Sequence, residues 1–307
     1  MTPFKLLNPV YTLDRKELLP AGAVLSEETL DELISSNRDT SSPLYSLLKH
    51  GSVKHDCLEF MSHHPYREIF AVHEQYTAVM NLMEAAHVHP AILESLDYFK
   101  KHDFDTYRHI LMVSALSSLL AQNLMLDSQD VLKEFMSCPN HDFGKICVPL
   151  QILKKTDPLT RKERLMLEHH APAGFVILSY YLRDSRNIAS IVDRDHHERK
   201  DGSGYPMGTL LADRMVEIIV VSDVYDALIV PRPYRPTPYD NRTALEEITE
   251  QAKQGKIGWE VVQALVAYNR KSKPYYRDCT VSLEKRGVPP ADNLYGILAP
   301  EDDCPEK

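Results

Sequence analysis

The run Val216-Glu217-Ile218-Ile219-Val220-Val221-Ser222-Asp223-Val224-Tyr225-Asp226-Ala227-Leu228-Ile229-Val230 reads two ways. On propensity alone its β-branched residues make a buried strand. Composition pulls the other way. Glycine numbers only 11 among 307 residues and aromatics 8%, which favours an all-helical fold over a sandwich or barrel. Inside the run sits Asp223, directly after Ile218-Ile219-Val220-Val221-Ser222. A carboxylate there is costly unless it is paired or bound to metal.

Around this run the pattern is helical. From about Asp105, His109, Val113, Leu116 and Leu120 share one helix face, so His109 points inward. Thr160-Arg161-Lys162-Glu163 is a capping box that starts a helix carrying His169 and His170. Thr243-Ala244-Leu245-Glu246 is a second one, with Gly255 as the C-terminal stop. Residues 1–100 read as a separate, mostly helical module. In it Ser26 caps a helix, and Leu25 and Leu30 are spaced as a hydrophobic staple. Before that helix, residues 10–25 alternate like a hairpin around Pro20-Ala21-Gly22. The histidines at 50, 55, 63, 64, 73, 87 and 89, and His102 just beyond the module, read as solvated surface. Beyond a core of residues 101–275, a tail rich in proline and charge, from about Pro274, either wraps or frays.

Hydrophobic residues make up 43% and charged ones 26%, as in a globular chain with a sizeable core. The net charge of -9 supplies no field for nucleic acid polymers or anionic membranes, so an anionic substrate needs local cations or metals. Cysteines 57, 138, 147, 279 and 304 form no Cys-x-x-Cys pair, which argues against a disulfide framework or a thiolate zinc site. The first residues lack a signal-peptide core, and no apolar run is long enough to span a bilayer; the chain reads as cytoplasmic.

Two short runs carry the chemistry. His141-Asp142-Phe143-Gly144-Lys145 sets an imidazole beside a carboxylate, which can bridge two cations. Asp195-His196-His197-Glu198-Arg199-Lys200-Asp201-Gly202-Ser203-Gly204-Tyr205-Pro206 opens with two adjacent imidazoles that point apart and so suit neighbouring metals. With His109, His170 and Asp223 the donors are all nitrogen and oxygen, which suits iron or manganese better than structural zinc.

In this order the motifs resemble the HD-GYP family of metal-dependent phosphohydrolases, over about Asp105 to Asn269. His141-Asp142 and Gly204-Tyr205-Pro206 match its two name-giving runs, and His109, His170, His196, His197 and Asp223 fall at its other ligand positions. The resemblance implies an all-α helical bundle, with Val216–Val230 helical despite its propensity. It implies hydrolysis of cyclic di-GMP to pGpG or GMP by a hydroxide bridging divalent metals. Lys145, with Asp142, stands at the reaction centre and contacts phosphate. Arg232 and Arg235 take the second phosphate or stack on guanine, and Tyr205 shapes the pocket or touches ligand. Some family members bind a third metal through a glutamate four residues before the first histidine; here that residue is Asp105, one methylene shorter. Two or three metals are therefore expected. The competing readings are hydrolysis of another cyclic dinucleotide such as cyclic GMP-AMP, and a metal-loaded cyclic-dinucleotide sensor. The resemblance also implies that the module over residues 1–100 is regulatory or dimerising, so the partners expected beyond substrate are a second copy or a signalling protein.

Overall fold

The computed structural model describes residues 3–38, 42–125 and 141–300; Cys138 and Cys304 lie outside them. Short strands β1 (Phe4–Lys5), β2 (Val10–Tyr11), β3 (Glu17–Leu19) and β4 (Val24–Leu25) open the chain. The expected hairpin is present, but its turn lies elsewhere. β2 pairs with β3 through Thr12–Lys16, where Thr12 N donates to Lys16 O (2.9 Å) and Lys16 N to Thr12 Oγ1 (3.0 Å). Pro20-Ala21-Gly22 makes a different turn: Gly22 (φ 84°) sends β4 back onto β1, and Leu6 N donates to Ala23 O (2.9 Å).

Helix α1 (Glu27–Ser36) starts as expected, with Ser26 Oγ accepting from Thr29 N and both Leu25 and Leu30 buried. β5 (Tyr45–Ser46) pairs with β6 (His87–Val88), and between them lie α2 (Val53–Met61), α3 (Tyr66–Ile69) and α4 (His73–Ala85). α5 (Pro90–His102) leads into α6 (Phe104–Leu124), whose N-cap is Asp103. Every residue from His109 to Ala121 is buried, so α6 is the axis of the core.

Beyond it come α7 (Leu150–Leu153), α8 (Arg161–Glu168), α9 (His170–Leu182) and α10 (Ile188–Asp195). Thr160 and Glu163 form the expected capping box. The helix they start ends at Glu168, however, and His170 begins the next one. The run that reads as a strand is α11 (Arg214–Ile229). It is buried on all sides against α6, and such a helix accepts Val and Ile anywhere around it. Asp213 caps its start by accepting from Met215 N (2.8 Å) and Val216 N (3.2 Å).

α12 (Asn241–Lys253) and α13 (Trp259–Asn269) complete the all-α bundle. α12 starts earlier than Thr243 predicts: Asp240 is the cap, accepting from Arg242 N and Thr243 N. Glu246, read as the second half of the box, instead accepts from Arg286 N (2.9 Å) and Gly287 N (2.8 Å). Gly255 (φ 75°) terminates the helix as expected. Of the two readings of the tail, its described part wraps: it crosses α12 at Glu246 and continues to Leu159, where Ala299 N donates to Leu159 O (2.9 Å). No helix among the described residues is long and apolar enough to cross a membrane.

Candidate metal centre

α6 brings His109 to the middle of the bundle, α9 brings His170, and the end of α10 brings His196 and His197. α11 supplies Asp223, and the 3-10 turn Phe143–Cys147 follows His141 and Asp142. The donors form two groups, His109–His141–Asp223 and His170–His196–His197. Asp142 lies between them. Its Oδ2 is 3.5 Å from His141 Nε2 and 3.7 Å from His109 Nε2, while its Oδ1 is 3.5 Å from His170 Nε2 and 3.9 Å from His196 Nε2.

Hydrogen bonds on the far side of each ring fix where the lone pairs point. His109 Nδ1 donates to Asp226 Oδ2 (2.7 Å), His170 Nδ1 to Leu167 O (2.6 Å), and His196 Nδ1 to Asp193 O (2.9 Å) and Val192 O (3.1 Å). In a neutral ring each Nε2 then carries a lone pair aimed inward. The Nε2 atoms of His170 and His196 are 3.2 Å apart, and His109 Nε2 is 3.0 Å from Asp223 Oδ1. Acceptor facing acceptor at such distances repels, and a cation shared by the pair reverses the sign. His141 Nε2, buried among the described residues, has no hydrogen-bond partner there. These are the marks of a metal site, and the donors present fit one.

The electrostatics agree. Burial pushes His170 down to about 4 and His196 down to about 3, and drives His197 well below the usual imidazole range with His196 beside it. Burial opposes ionisation of Asp142, but Lys145 and the surrounding imidazoles outweigh it and hold the carboxyl well below its ordinary value. Burial likewise opposes Asp223, and the His109 hydrogen bond outweighs it. These three imidazoles are thus neutral and both carboxyls ionised near pH 7, the forms that bind metal.

Other expected residues fall around this core. Lys145 Nζ donates to Asp142 Oδ2 (2.7 Å). Tyr205 stacks on His197, with centroids 4.5 Å apart and planes at 21°. The Arg232 guanidinium comes within 3.7 Å of Asp226 Oδ2. Arg235, expected on the substrate side, serves the fold instead. Buried, it donates to the carbonyls of Ala227, Leu228 and Val230 and closes the C-terminal end of α11. The short turn between the two arginines, each bonding the other's backbone, sends the second one inward. Asp105 is exposed and belongs to neither donor group. His169 is buried and belongs to neither donor group.

Two important residues went unread in the sequence. Asp226 accepts from His109, from Arg108 Nη1 (3.0 Å) and from Tyr66 OH (2.6 Å). Its signal was the Asp-x-x-Asp spacing that puts it near Asp223 on one helix. Glu198, directly after the histidine pair, is 1% exposed and accepts from Met207 N (2.7 Å), Gly208 N (3.1 Å) and Thr209 N (3.1 Å), which ties the loop around Tyr205 to the ligands. Gly204 lets this loop close, because a Cβ there would lie 2.4 Å from His197 O and from Glu198 Cα.

Gly144 plays the same part beneath Asp142. A Cβ would meet His170 O at 1.9 Å and Gly174 N at 2.4 Å, both backbone atoms. Gly144→Ala is therefore expected to cost about 1–3 kcal/mol, the usual range for overpacking, seen as a lower denaturation midpoint with unchanged slope.

Fold and site together define a helical scaffold built around a buried cluster of metal-donor side chains. The HD domain family profile matches residues 80–261. The chain belongs to that family and, by its ordered motifs, to the HD-GYP branch, and membership implies divalent metal binding. It is 34% identical over 193 residues to a Cyclic di-GMP phosphodiesterase of Thermotoga maritima, covering 61% of this chain and 51% of that one. It is 35% identical to the Cyclic di-GMP phosphodiesterase response regulator RpfG of Xanthomonas campestris pv. campestris, over 43% and 36%. It is 29% identical to the 3'3'-cGAMP-specific phosphodiesterase 1 of Vibrio cholerae, over 74% and 50%. The chain thus spans about half or less of the length of these relatives.

Proposed function

We propose that this chain hydrolyses the phosphodiester bonds of a cyclic dinucleotide, cyclic di-GMP in the first place, using two divalent metal ions, iron or manganese. The observation that carries this reading is the Asp142 carboxylate, with one oxygen toward each donor group. His109, His141, Asp223 and Asp142 would hold one ion, and His170, His196, His197 and Asp142 the other. Ions bound there neutralise phosphate charge and lower the pKa of water enough to make a nucleophile at neutral pH. The chain's own residues do the rest. Asp226 orients the His109 ring, Lys145 places a cation beside the reacting phosphate, and Arg232 offers a second cation on the substrate side. Tyr205, stacked on His197, forms the wall between ligands and substrate. Residues before about 100 serve regulation or dimerisation in this reading, and the chain works in the cytoplasm.

The names of the relatives support the substrate class and leave the base open between cyclic di-GMP and cyclic GMP-AMP. The test is elemental analysis of anaerobically purified protein, paired with product identification on both compounds. Two metals per chain with pGpG or GMP as product are expected. Three metals that fall to two in Asp105→Ala would assign Asp105 a ligand role. Tight binding without turnover by metal-loaded protein would overturn the enzymatic reading in favour of a sensor. Lys145→Ala is expected to keep the metals and lower kcat by about 10²–10³-fold, the usual cost of one lost electrostatic group.

A further inference from the structure

The hydrogen bonds behind His109 reach into the segment before residue 100. Tyr66, at the start of α3, is 1% exposed, and its hydroxyl donates to Asp226 Oδ1 (2.6 Å). The other oxygen, Oδ2, accepts from His109 Nδ1 (2.7 Å). One carboxylate on α11 therefore joins a side chain of α3 to a candidate ligand on α6. Arg108 is a further donor. Its Nη1 meets both oxygens, at 3.0 and 3.3 Å, and its guanidinium carbon lies 5.8 Å from the ring centroids of both Phe60 and Tyr66. α2 and α3 thus supply the aromatic rings against which the arginine is set.

Tyr66 and Arg108 fix different things. The arginine nitrogen is shared between the two oxygens and does not distinguish them, whereas Tyr66 bonds one. The last torsion of an aspartate is broad and has no sharp setting of its own. A bond at one oxygen supplies that setting, and with it the direction in which Oδ2 faces the imidazole. α3 is itself seated from two sides. On the inside the Tyr66 ring meets Tyr225 of α11 edge to face, with centroids 6.3 Å apart and planes at 85°. On the outside Lys273 (φ 46°), just past α13, donates through Nζ to the carbonyls of Glu68, Ile69 (3.3 Å) and Tyr268. One ammonium thus serves the last carbonyls of both α3 and α13, which the helices leave without partners.

We propose that Tyr66 is a positioning residue for the metal centre: its hydroxyl sets the Asp226 carboxylate that orients His109, and Lys273 acts through it by holding α3 in place. This rests on the two-ion reading above and extends it to a side chain outside every donor group.

The test is Mn²⁺ affinity, by competition with a chelator, for metal-stripped wild type, Tyr66→Phe, Lys273→Met, Asp226→Ala and the Tyr66→Phe/Asp226→Ala pair. Tyr66→Phe keeps the ring and its packing and loses only the hydroxyl. It is expected to weaken one ion about 2- to 30-fold, the range for a group that acts on a site without touching it. The other ion should stay within about twofold of wild type. Lys273→Met should weaken the same ion by a smaller factor. In the Asp226→Ala background Tyr66→Phe should have no further effect, because the acceptor it works through is gone. Wild type with two ions beside a Tyr66→Phe variant of unchanged affinity overturns the positioning role alone. So does an equal loss at both ions, the mark of a tyrosine that only stabilises the fold. An effect of Tyr66→Phe that persists undiminished without Asp226 overturns it too, and unchanged affinity in Lys273→Met overturns the part given to Lys273. Wild type that takes up no Mn²⁺ defeats the two-ion reading, and the positioning role with it.

Discussion

Asp142→Ala is expected to empty both metal positions together and to lower turnover by more than about 10³-fold, beyond the loss of any single electrostatic contact. The reason is geometric. Each carboxylate oxygen faces a different donor group, so one side chain would complete two coordination sets. Its removal also deprives Lys145 of an acceptor at 2.7 Å. Asp142→Asn keeps the volume but removes the charge and turns one oxygen into an NH₂, so it should lose at least one metal. Elemental analysis on the same preparations used for kinetics decides the matter. A variant that keeps two metals and full turnover would refute the bridging assignment.

Asp226→Ala should have the next largest effect, and on two observables. Asp226 is 0% exposed and accepts from Tyr66, Arg108 and His109. Burial works against its charge, but Arg108 and the His109 hydrogen bond outweigh it and hold the carboxyl far below the ordinary range. Taking away one partner of a buried ionic cluster typically costs about 3–5 kcal/mol, because the other charge is left uncompensated. Chemical denaturation of the metal-free protein should show that loss. Metal affinity should fall about 10–100-fold, the usual result when the group that orients a ligating histidine is removed. Unaltered affinity, measured by competition with a chelator, would show that His109 is held in place by packing alone.

The sequence revealed most where one residue's chemistry conflicted with its surroundings. Asp223 stands in an apolar run and His109 on an apolar face, and each conflict marks an inward polar group that the structure places in the centre. The β-branched run was legible as a helix through composition and the family but not through propensity, which measures fit to a half-buried surface, whereas α11 has no exposed face to speak of. What misled was local punctuation. Pro20-Ala21-Gly22 and Thr243–Glu246 are genuine turn and cap signatures, but a neighbour competes in each case. Thr12 closes the hairpin first, and Asp240 caps three residues ahead of Thr243. Arg235 shows a different limit. A guanidinium can serve phosphate or a helix end, and the choice depends on which way a two-residue turn points it. Glu198 was illegible for another reason: its partners are backbone N–H groups, which every residue but proline possesses and no sequence displays.

Tyr66 belongs to the early helices, yet its hydroxyl reaches across 160 positions of chain to one oxygen of the carboxylate whose other oxygen steadies His109. That shared acceptor makes the docking of the first segment and the capture of the ion two halves of one thermodynamic cycle. Whatever factor the seated Tyr66 adds to ion affinity, the ion must return to the seating of Tyr66. Seating of the early helices and ion binding at the candidate centre would then shift each other by the same factor, without any change to a ligand.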